Sequence, residues 1–164
     1  MDKYIVKHDE LTAKEFLELW NSVWDEPPTF NQAKLAIDNS LIKVSVFDED
    51  KIIATARAIG DKGMCYYIKD VIVRPEYQKK GIGRLLLNSI LKKIDDYGIP
   101  DTEVFVELCA MPDKIPFYQK CGFFGNEAQR LKMMYEVKKT LSKEWVNRCN
   151  GGWLCVVNII LELI

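Results

Sequence analysis

A short segment rich in glycine and basic residues, Gln78–Arg84, has the residue types of a phosphate site. It reads Gln-Lys-Lys-Gly-Ile-Gly-Arg and lies between an apolar run ending at Val73 and a leucine-rich run. Glycines let the backbone turn tightly and approach a ligand closely. The first amide groups of a helix have no partner inside it, and the helix dipole favours an anion there. We therefore expect the backbone amides of this segment, with its basic side chains nearby, to hold the phosphates of a cofactor.

The segment differs from the two common nucleotide loops. A Walker loop ends in Gly-Lys-Ser/Thr, and this ending is absent. A dinucleotide fingerprint needs a third glycine where this chain has Leu86. A glycine pair alone is weak evidence, so a glycine-rich turn with a solvated basic face is the alternative interpretation.

A second segment, Pro116–Phe123, makes the interpretation more specific. It reads Pro-Phe-Tyr-Gln-Lys-Cys-Gly-Phe and resembles a Phe/Leu-Tyr-x-Lys-x-Gly-Phe pattern. Gln78, Gly81 and Gly83 fill a Gln/Arg-x-x-Gly-x-Gly/Ala signature. In this order and at this spacing, the two motifs resemble the GCN5-related N-acetyltransferases, the GNAT family, over about residues 41–137. The resemblance is closest in character to the glucosamine-phosphate and arylalkylamine-type acetyltransferases.

The resemblance implies that the cofactor is acetyl-CoA. In that family the pantetheine arm pairs like an extra strand with the strand before the loop, here Val71, Ile72 and Val73. A backbone N–H of this strand donates to the thioester oxygen, a type of contact worth about 3–4 kcal/mol in other acyl-transfer enzymes. The pyrophosphate lies on the loop, which here comprises Gln78 at the entry and then Lys79, Lys80, Gly81, Ile82, Gly83 and Arg84.

Acetylation of an amine requires two proton movements. A primary amine with a pKa near 10 must lose a proton before attack, and the departing thiolate gains one. The resemblance implies that Tyr118 is the general acid; a half-buried helix aromatic is the alternative. Asp70 interrupts an apolar strand beside the cofactor segment and is the candidate base, and Glu107 interrupts the next strand in the same way. Each could act through a water or be a structural carboxylate.

Two positions differ from the family's pattern. Lys69 stands where glucosamine-phosphate relatives often have a glutamate, which weakens the amino-sugar interpretation, and Met111 stands where many members have an asparagine that touches the cofactor. The resemblance implies that the loop Trp24–Phe30 covers the acceptor, and its aromatic and acidic residues suit a cationic amine; an ordinary loop between helices with solvated acids is the alternative. We expect direct acetyl transfer to a primary amine of a small molecule. A protein or peptide acetyltransferase and a non-catalytic acyl-CoA sensor are the alternatives.

Hydrophobic periodicity predicts the elements that position these residues. Thr12–Glu15 forms a capping box that opens a first helix, whose apolar positions continue to Val23, and a second short helix is expected over Gln32–Asp38. Helical spacing also predicts Ile82–Tyr97 and Lys114–Lys120. β-branched and aromatic residues predict strands over Leu41–Phe47, Lys51–Ile59, Cys65–Val73, Thr102–Leu108 and Lys132–Val137.

The predicted order is β-α-α-β-β-β-α-β-α-β, which is typical of an α+β protein with helices packed on a sheet. The resemblance implies a GNAT fold, in which a mixed, mostly antiparallel central sheet has helices on both faces.

Composition limits the class of protein. The chain has 164 residues, of which 48% are hydrophobic, which suits one globular domain. With 23 basic and 24 acidic residues there is no basic excess, so we expect no nucleic-acid partner. Five cysteines without CxxC spacing and a single histidine argue against a disulfide scaffold and a zinc site, so we expect no metal and a cytoplasmic location.

The chain continues beyond the expected end of the acetyltransferase domain. We assign residues 1–137 to that domain and 138–164 to a C-terminal extension. Its apolar segment Trp153–Ile164 is too short to span a bilayer as a helix, so we expect no membrane partner. An exposed apolar segment favours aggregation, and we therefore expect it to pack on the domain or on a second copy in a homodimer.

Overall fold

The computed structural model describes residues 3–125 and 130–136, and it confirms the predicted order of elements. The strands are β1 Ile5–His8, β2 Ile42–Asp48, β3 Lys51–Gly60, β4 Cys65–Val73, β5 Glu103–Cys109 and β6 Arg130–Glu136. The helices are α1 Ala13–Trp20, α2 Phe30–Asp38, α3 Ile82–Tyr97 and α4 Ile115–Gln119. The extension predicted over residues 138–164 lies outside the described residues.

The six strands form one sheet in the order β1-β2-β3-β4-β5-β6. All neighbouring strands are antiparallel except β4 and β5, which are parallel. A parallel pair needs a crossover connection, and α3 provides it. The prediction of an α+β fold with a mixed, mostly antiparallel sheet is therefore confirmed.

Helices cover both faces of the sheet, and each face has its own core. The first core joins α3 to the inner side chains of β2–β6, including Leu86, Ile90 and Tyr66. The second core joins α1 and α2 to β2, β3 and β4 through side chains such as Phe16 and Ile72. The middle strands are therefore buried on both faces, which explains their apolar sequences.

Helices α1 and α2 each differ from the prediction at one end, and α4 is one residue shorter at each end than the predicted Lys114–Lys120. The second helix begins at Phe30 rather than Gln32, because Thr29 and Gln32 form a second capping box. The first helix ends at Trp20, so Val23 lies in the following turn instead of on the helix. The segment between the two helices is therefore residues 21–29.

Within the described ranges 3–125 and 130–136, none of the helices combines the length and apolar character that crossing a membrane would require.

Candidate active site

Strand β4 contains a β-bulge at Asp70. Lys69 pairs with Arg57 on β3, but Ile72 pairs with Thr55, so two residues of β4 lie opposite a single residue of β3. Asp70 has a φ of 51°, and it is the only non-glycine residue with positive φ inside a described strand. The extra residue makes the strand bend and interrupts the regular pairing at this point.

The bulge also changes which side chains face each core. Before it, Tyr66 and Ile68 lie in the first core. After it, Val71 and Val73 pack against the first core, and Ile72 lies in the second. A shift of one residue moves every following side chain to the opposite face, so the bulge lets β4 keep apolar residues buried on both sides.

Beyond the bulge, β4 and β5 separate. Their parallel pairing covers Cys65–Ile68 and Phe105–Leu108, and no described strand pairs with Lys69–Val73 on the side of β5. An unpaired strand edge presents N–H and C=O groups that can bind another extended chain. The predicted pantetheine segment, Val71–Val73, lies on this open edge.

The predicted phosphate segment forms a turn that leads directly into α3. Lys79 and Gly81 have φ values of 59° and 83°, in the left-handed region. The helix begins at Ile82 without a hydrogen bond from a capping side chain. Its first amide groups and the dipole of a 16-residue helix are therefore available to an anion, which fits the pyrophosphate of a cofactor.

Polar side chains surround this turn. Lys79, Lys80 and Arg84 are exposed. Gln78 Nε2 donates a hydrogen bond of 3.0 Å to the carbonyl oxygen of Val73, which ties the turn to the open end of β4.

Gly83 lies at a close approach of α4 to α3. A Cβ atom at this position would lie 3.0 Å from Cζ of Phe117. A second link is a hydrogen bond of 3.1 Å from Nη2 of Arg84 to the carbonyl oxygen of Lys120. The two sequence motifs are therefore in direct contact, and α4 packs against the first turn of α3.

Tyr118 on α4 is half-buried between two aromatic rings. The ring centroids of Phe117 and Phe123 lie 5.0 and 5.9 Å from its own. Burial raises the pKa of Tyr118 to about 12, with a smaller contribution from Cys121. Neither cause is a hydrogen bond, and the raised pKa keeps the phenol protonated in the neutral range.

The carboxylate of Asp70 is held in a part-buried ion pair. Nε of Arg57 lies 2.5 Å from Oδ2 of Asp70, and each side chain is 14% exposed. Nη1 of Arg57 donates to Oγ of Ser40 at 3.2 Å, and that hydroxyl donates to the carbonyl oxygen of Ala36 at 2.7 Å. Only Oδ2 of the carboxylate is bonded to Arg57.

The other candidate carboxylate lies on a more open surface. Glu107 is exposed on β5 and stands opposite Tyr67 in the parallel pairing. Phe105 on the same face is 41% exposed. In the predicted acceptor loop, Trp24 packs against the second core and contacts the ring of Trp20, with centroids 4.8 Å apart.

The sequence prediction omitted Arg57 and Ser40. A signal for Arg57 was present, since it is the only charged residue between Ile52 and Ile59 in an otherwise apolar strand. The same criterion selected Asp70. Ser40 carries no such signal, because its role depends on where the end of α2 meets β3.

Comparisons with known proteins agree with this geometry. The sequence model of the family described as Acetyltransferase (GNAT) matches residues 8–123. An uncharacterised ycf52-like N-acetyltransferase of Prochlorococcus marinus is 32% identical over 130 residues, which cover 74% of this chain and 69% of that protein. The glucosamine 6-phosphate N-acetyltransferase of Schizosaccharomyces pombe is 30% identical over 88 residues, 50% of this chain and 76% of that protein.

Solved structures share the fold. A probable acetyltransferase of Staphylococcus aureus, a protein of unknown function, matches with a TM-score of 0.68 and 30% identity over 76% of this chain and 92% of that chain. A GNAT family N-acetyltransferase of Escherichia coli in complex with CoA matches with a TM-score of 0.62 and 15% identity, over 80% of this chain and 81% of that chain. At that identity the likeness concerns the fold alone.

Proposed function

We propose that this chain moves an acetyl group directly from acetyl-CoA to a primary amine of a small molecule. The chain belongs to the GNAT acetyltransferase family and is an acyltransferase that uses acetyl-CoA. The observation that supports the cofactor's place in this proposal is the open edge of β4 from Lys69 to Val73, beside the uncapped start of α3. The half-buried phenol of Tyr118 lies on the helix that packs against that start.

The residues of the two motifs fit a cofactor with phosphates and an amide-containing arm. The pyrophosphate would lie on the backbone amides of Lys79–Arg84, with Gln78 at the entry. The arm would pair with the free edge of Val71–Val73, and a backbone N–H there would stabilise the charge that develops on the thioester oxygen. Acetyl-CoA supplies the activated acyl group, and the chain supplies binding and proton transfer.

Tyr118 is assigned as the general acid. As the C–N bond to the amine forms, the C–S bond breaks and the sulfur takes a proton from the phenol. A phenol with a pKa of about 12 remains protonated throughout the neutral range, so it carries that proton at the start of every turnover.

Asp70 is assigned as the general base, acting through a water. The ion pair with Arg57 engages Oδ2, which leaves Oδ1 to accept a hydrogen bond from a water beside the acceptor. The amine proton would pass through that water as nitrogen attacks. Glu107 is the alternative base, and its exposed position on β5 leaves it accessible to the acceptor.

A protein or peptide amine is the second candidate acceptor. The exposure of Phe105 and Glu107 on the sheet face favours it, because a polypeptide needs an open surface rather than a closed pocket. An amino sugar is the less favoured small molecule because of Lys69. A cytoplasmic location and a homodimer stay predictions.

The test is release of CoA thiol from acetyl-CoA with a panel of small amines and peptides. Tyr118→Phe keeps the ring contacts but removes the proton, so kcat should fall by about 10²–10⁴-fold with the Kd for acetyl-CoA unchanged. The matched control is Tyr135→Phe, which removes a hydroxyl that donates to Asp95 at 2.9 Å. Binding of acetyl-CoA without turnover of any amine would refute the enzyme proposal and support a sensor.

A further inference from the structure

We propose that Arg57 is a positioning residue for acetyl transfer: its ion pair holds Asp70 in the bulge conformation and thereby keeps the edge of β4 open for the cofactor. The inference rests on the proposed function for the location of the cofactor, but it does not require Asp70 to be the base.

The bulge backbone has a conformation that an outside contact would stabilise. At a φ of 51°, the backbone of Asp70 is in the left-handed region, which aspartate adopts more readily than most residues other than glycine but still at an energetic cost. The other described non-glycine residues with positive φ lie in turns or loops, where the chain is less constrained. Inside a strand, such a conformation persists when neighbouring groups hold it.

Arg57 lies where it can supply that contact. It is paired with Lys69, the residue immediately before the bulge, and its Nε reaches Oδ2 of Asp70 at 2.5 Å. The hydroxyl of Ser40 accepts a hydrogen bond from Nη1 at 3.2 Å, so the guanidinium is anchored from the end of α2 as well. With both partners 14% exposed, solvent screens this attraction less than it screens a surface pair.

The charges around the bulge make the carboxylate necessary. Arg57 and Lys69 are two cations on directly opposite positions of neighbouring strands, an arrangement that is unfavourable by itself. Among the described ion pairs, Asp70 is the only acidic partner of either. Loss of the Arg57–Asp70 contact therefore removes the anchor of the bulge, and loss of the Asp70 carboxylate alone also leaves the paired cations without an acidic partner.

The position of the bulge connects this contact to the cofactor. The last pair between β4 and β5 is Ile68 with Leu108, and Asp70 follows only two residues later. If Asp70 left the bulge conformation and the pairing of β3 with the end of β4 moved by one residue, the side chains of Val71–Val73 would change faces. The strand edge that is proposed to pair with the cofactor would then change its orientation, so both cofactor binding and turnover should respond.

Four single variants and one double variant test the assignment. Arg57→Met removes the donors but keeps the length of the chain, and Arg57→Lys keeps the charge. Asp70→Asn removes the charge but tolerates positive φ, and Asp70→Gly adopts positive φ without the ion pair. The double variant Arg57→Met/Asp70→Asn removes both charges together, so no unpaired charge is left in the part-buried site. It therefore remains informative if Arg57→Met alone fails to fold.

The measurements are Kd for acetyl-CoA by calorimetry, kcat, KM and thermal stability, with Tyr135→Phe as the control for a lost part-buried hydrogen bond away from β4. Arg57→Met and the double variant should weaken acetyl-CoA binding by about tenfold or more and lower kcat by up to about a hundredfold. Arg57→Lys should recover part of both effects. Asp70→Gly keeps the positive φ but loses the carboxylate, so it should weaken acetyl-CoA binding less than Arg57→Met does.

A wild-type Kd for acetyl-CoA and a wild-type kcat in the folded double variant would overturn the proposal. It would also be overturned if Arg57→Met lost no more stability than Tyr135→Phe and bound acetyl-CoA with an unchanged Kd. The Asp70 variants separate this result from the catalytic assignment. If Asp70→Gly keeps kcat, Asp70 is not the base. The positioning role of Arg57 is then still decided by the Kd of the Arg57→Met variant for acetyl-CoA.

Discussion

Replacing Gly83 with alanine tests the contact between the two motifs. The added Cβ would lie 3.0 Å from Cζ of Phe117 and 3.5 and 3.7 Å from the two Cε atoms. The best separation of two carbon atoms is about 3.5–4.0 Å, so the ring must move by about 0.5 Å or more. Phe117 adjoins Tyr118, and the displacement should lower kcat as well as stability.

The expected magnitude comes from two opposing effects. Adding a methyl group to a packed contact costs about 1–3 kcal/mol, whereas alanine favours a helix over glycine by about 1 kcal/mol. Gly83→Ala should therefore change the free energy of unfolding by about 0–2 kcal/mol in the destabilising direction. Phe117→Leu makes room for the methyl group, so the two substitutions together should cost about 1–2 kcal/mol less than the sum of the single costs.

The assay is urea denaturation of the wild type, both single variants and the double variant, with acetyl-CoA Kd and kcat for each. If the costs of Gly83→Ala and Phe117→Leu in free energy of unfolding simply add in the double variant, the ring of Phe117 is not the reason for the cost at Gly83. If Gly83→Ala left stability unchanged and weakened only acetyl-CoA binding, the glycine would be needed for approach of the cofactor instead.

Two further predictions concern titrating groups. Since burial raises the pKa of Tyr118 to about 12, kcat should not decline up to about pH 9.5, where a phenol with a pKa of 10 would be about one quarter ionised; a decline that Tyr118→Phe abolishes would contradict this. Three backbone N–H groups donate to Oδ1 of Asp61 at 2.8–3.1 Å, those of Met64, Gly63 and Cys65. They lower the pKa of Asp61 to about 2, so its stabilisation is present above the unfolded value near pH 4 and is lost as the pH falls towards 2. The stability difference between the wild type and Asp61→Asn in urea should shrink from pH 5 to pH 2.5, and a constant difference would refute the assignment.

Local sequence signals predicted the elements well. The strand Cys65–Val73 and the helix Ile82–Tyr97 have the predicted bounds, because β-branched residues favour an extended chain and Gly98 with Pro100 stops a helix. Helix α2 begins at Phe30 instead of the predicted Gln32, because Thr29 and Gln32 form a capping box. That signal is local, so it was readable from the sequence.

The sequence by itself determined the family, the acetyl-CoA chemistry and the class of fold. The family and the cofactor follow from the resemblance of two short motifs, and the class of fold follows from hydrophobic periodicity. Both signals depend on residues that are close together in the chain. The residues of the open strand edge were also identified from the motif, but the sequence did not show that β5 leaves β4 after Ile68. Whether Tyr118 and the loop residues act as proposed is a question for the variants above.

Only the tertiary structure decided which contacts the charged residues make. Arg57 and Asp70 are 13 residues apart, and Arg84 and Lys120 are 36 apart. No local signal relates such positions, because their contact depends on strand register and on how helices pack. The bulge at Asp70 shows this most clearly: one extra residue in β4, visible only against its pairing with β3, sets which side chains face each core.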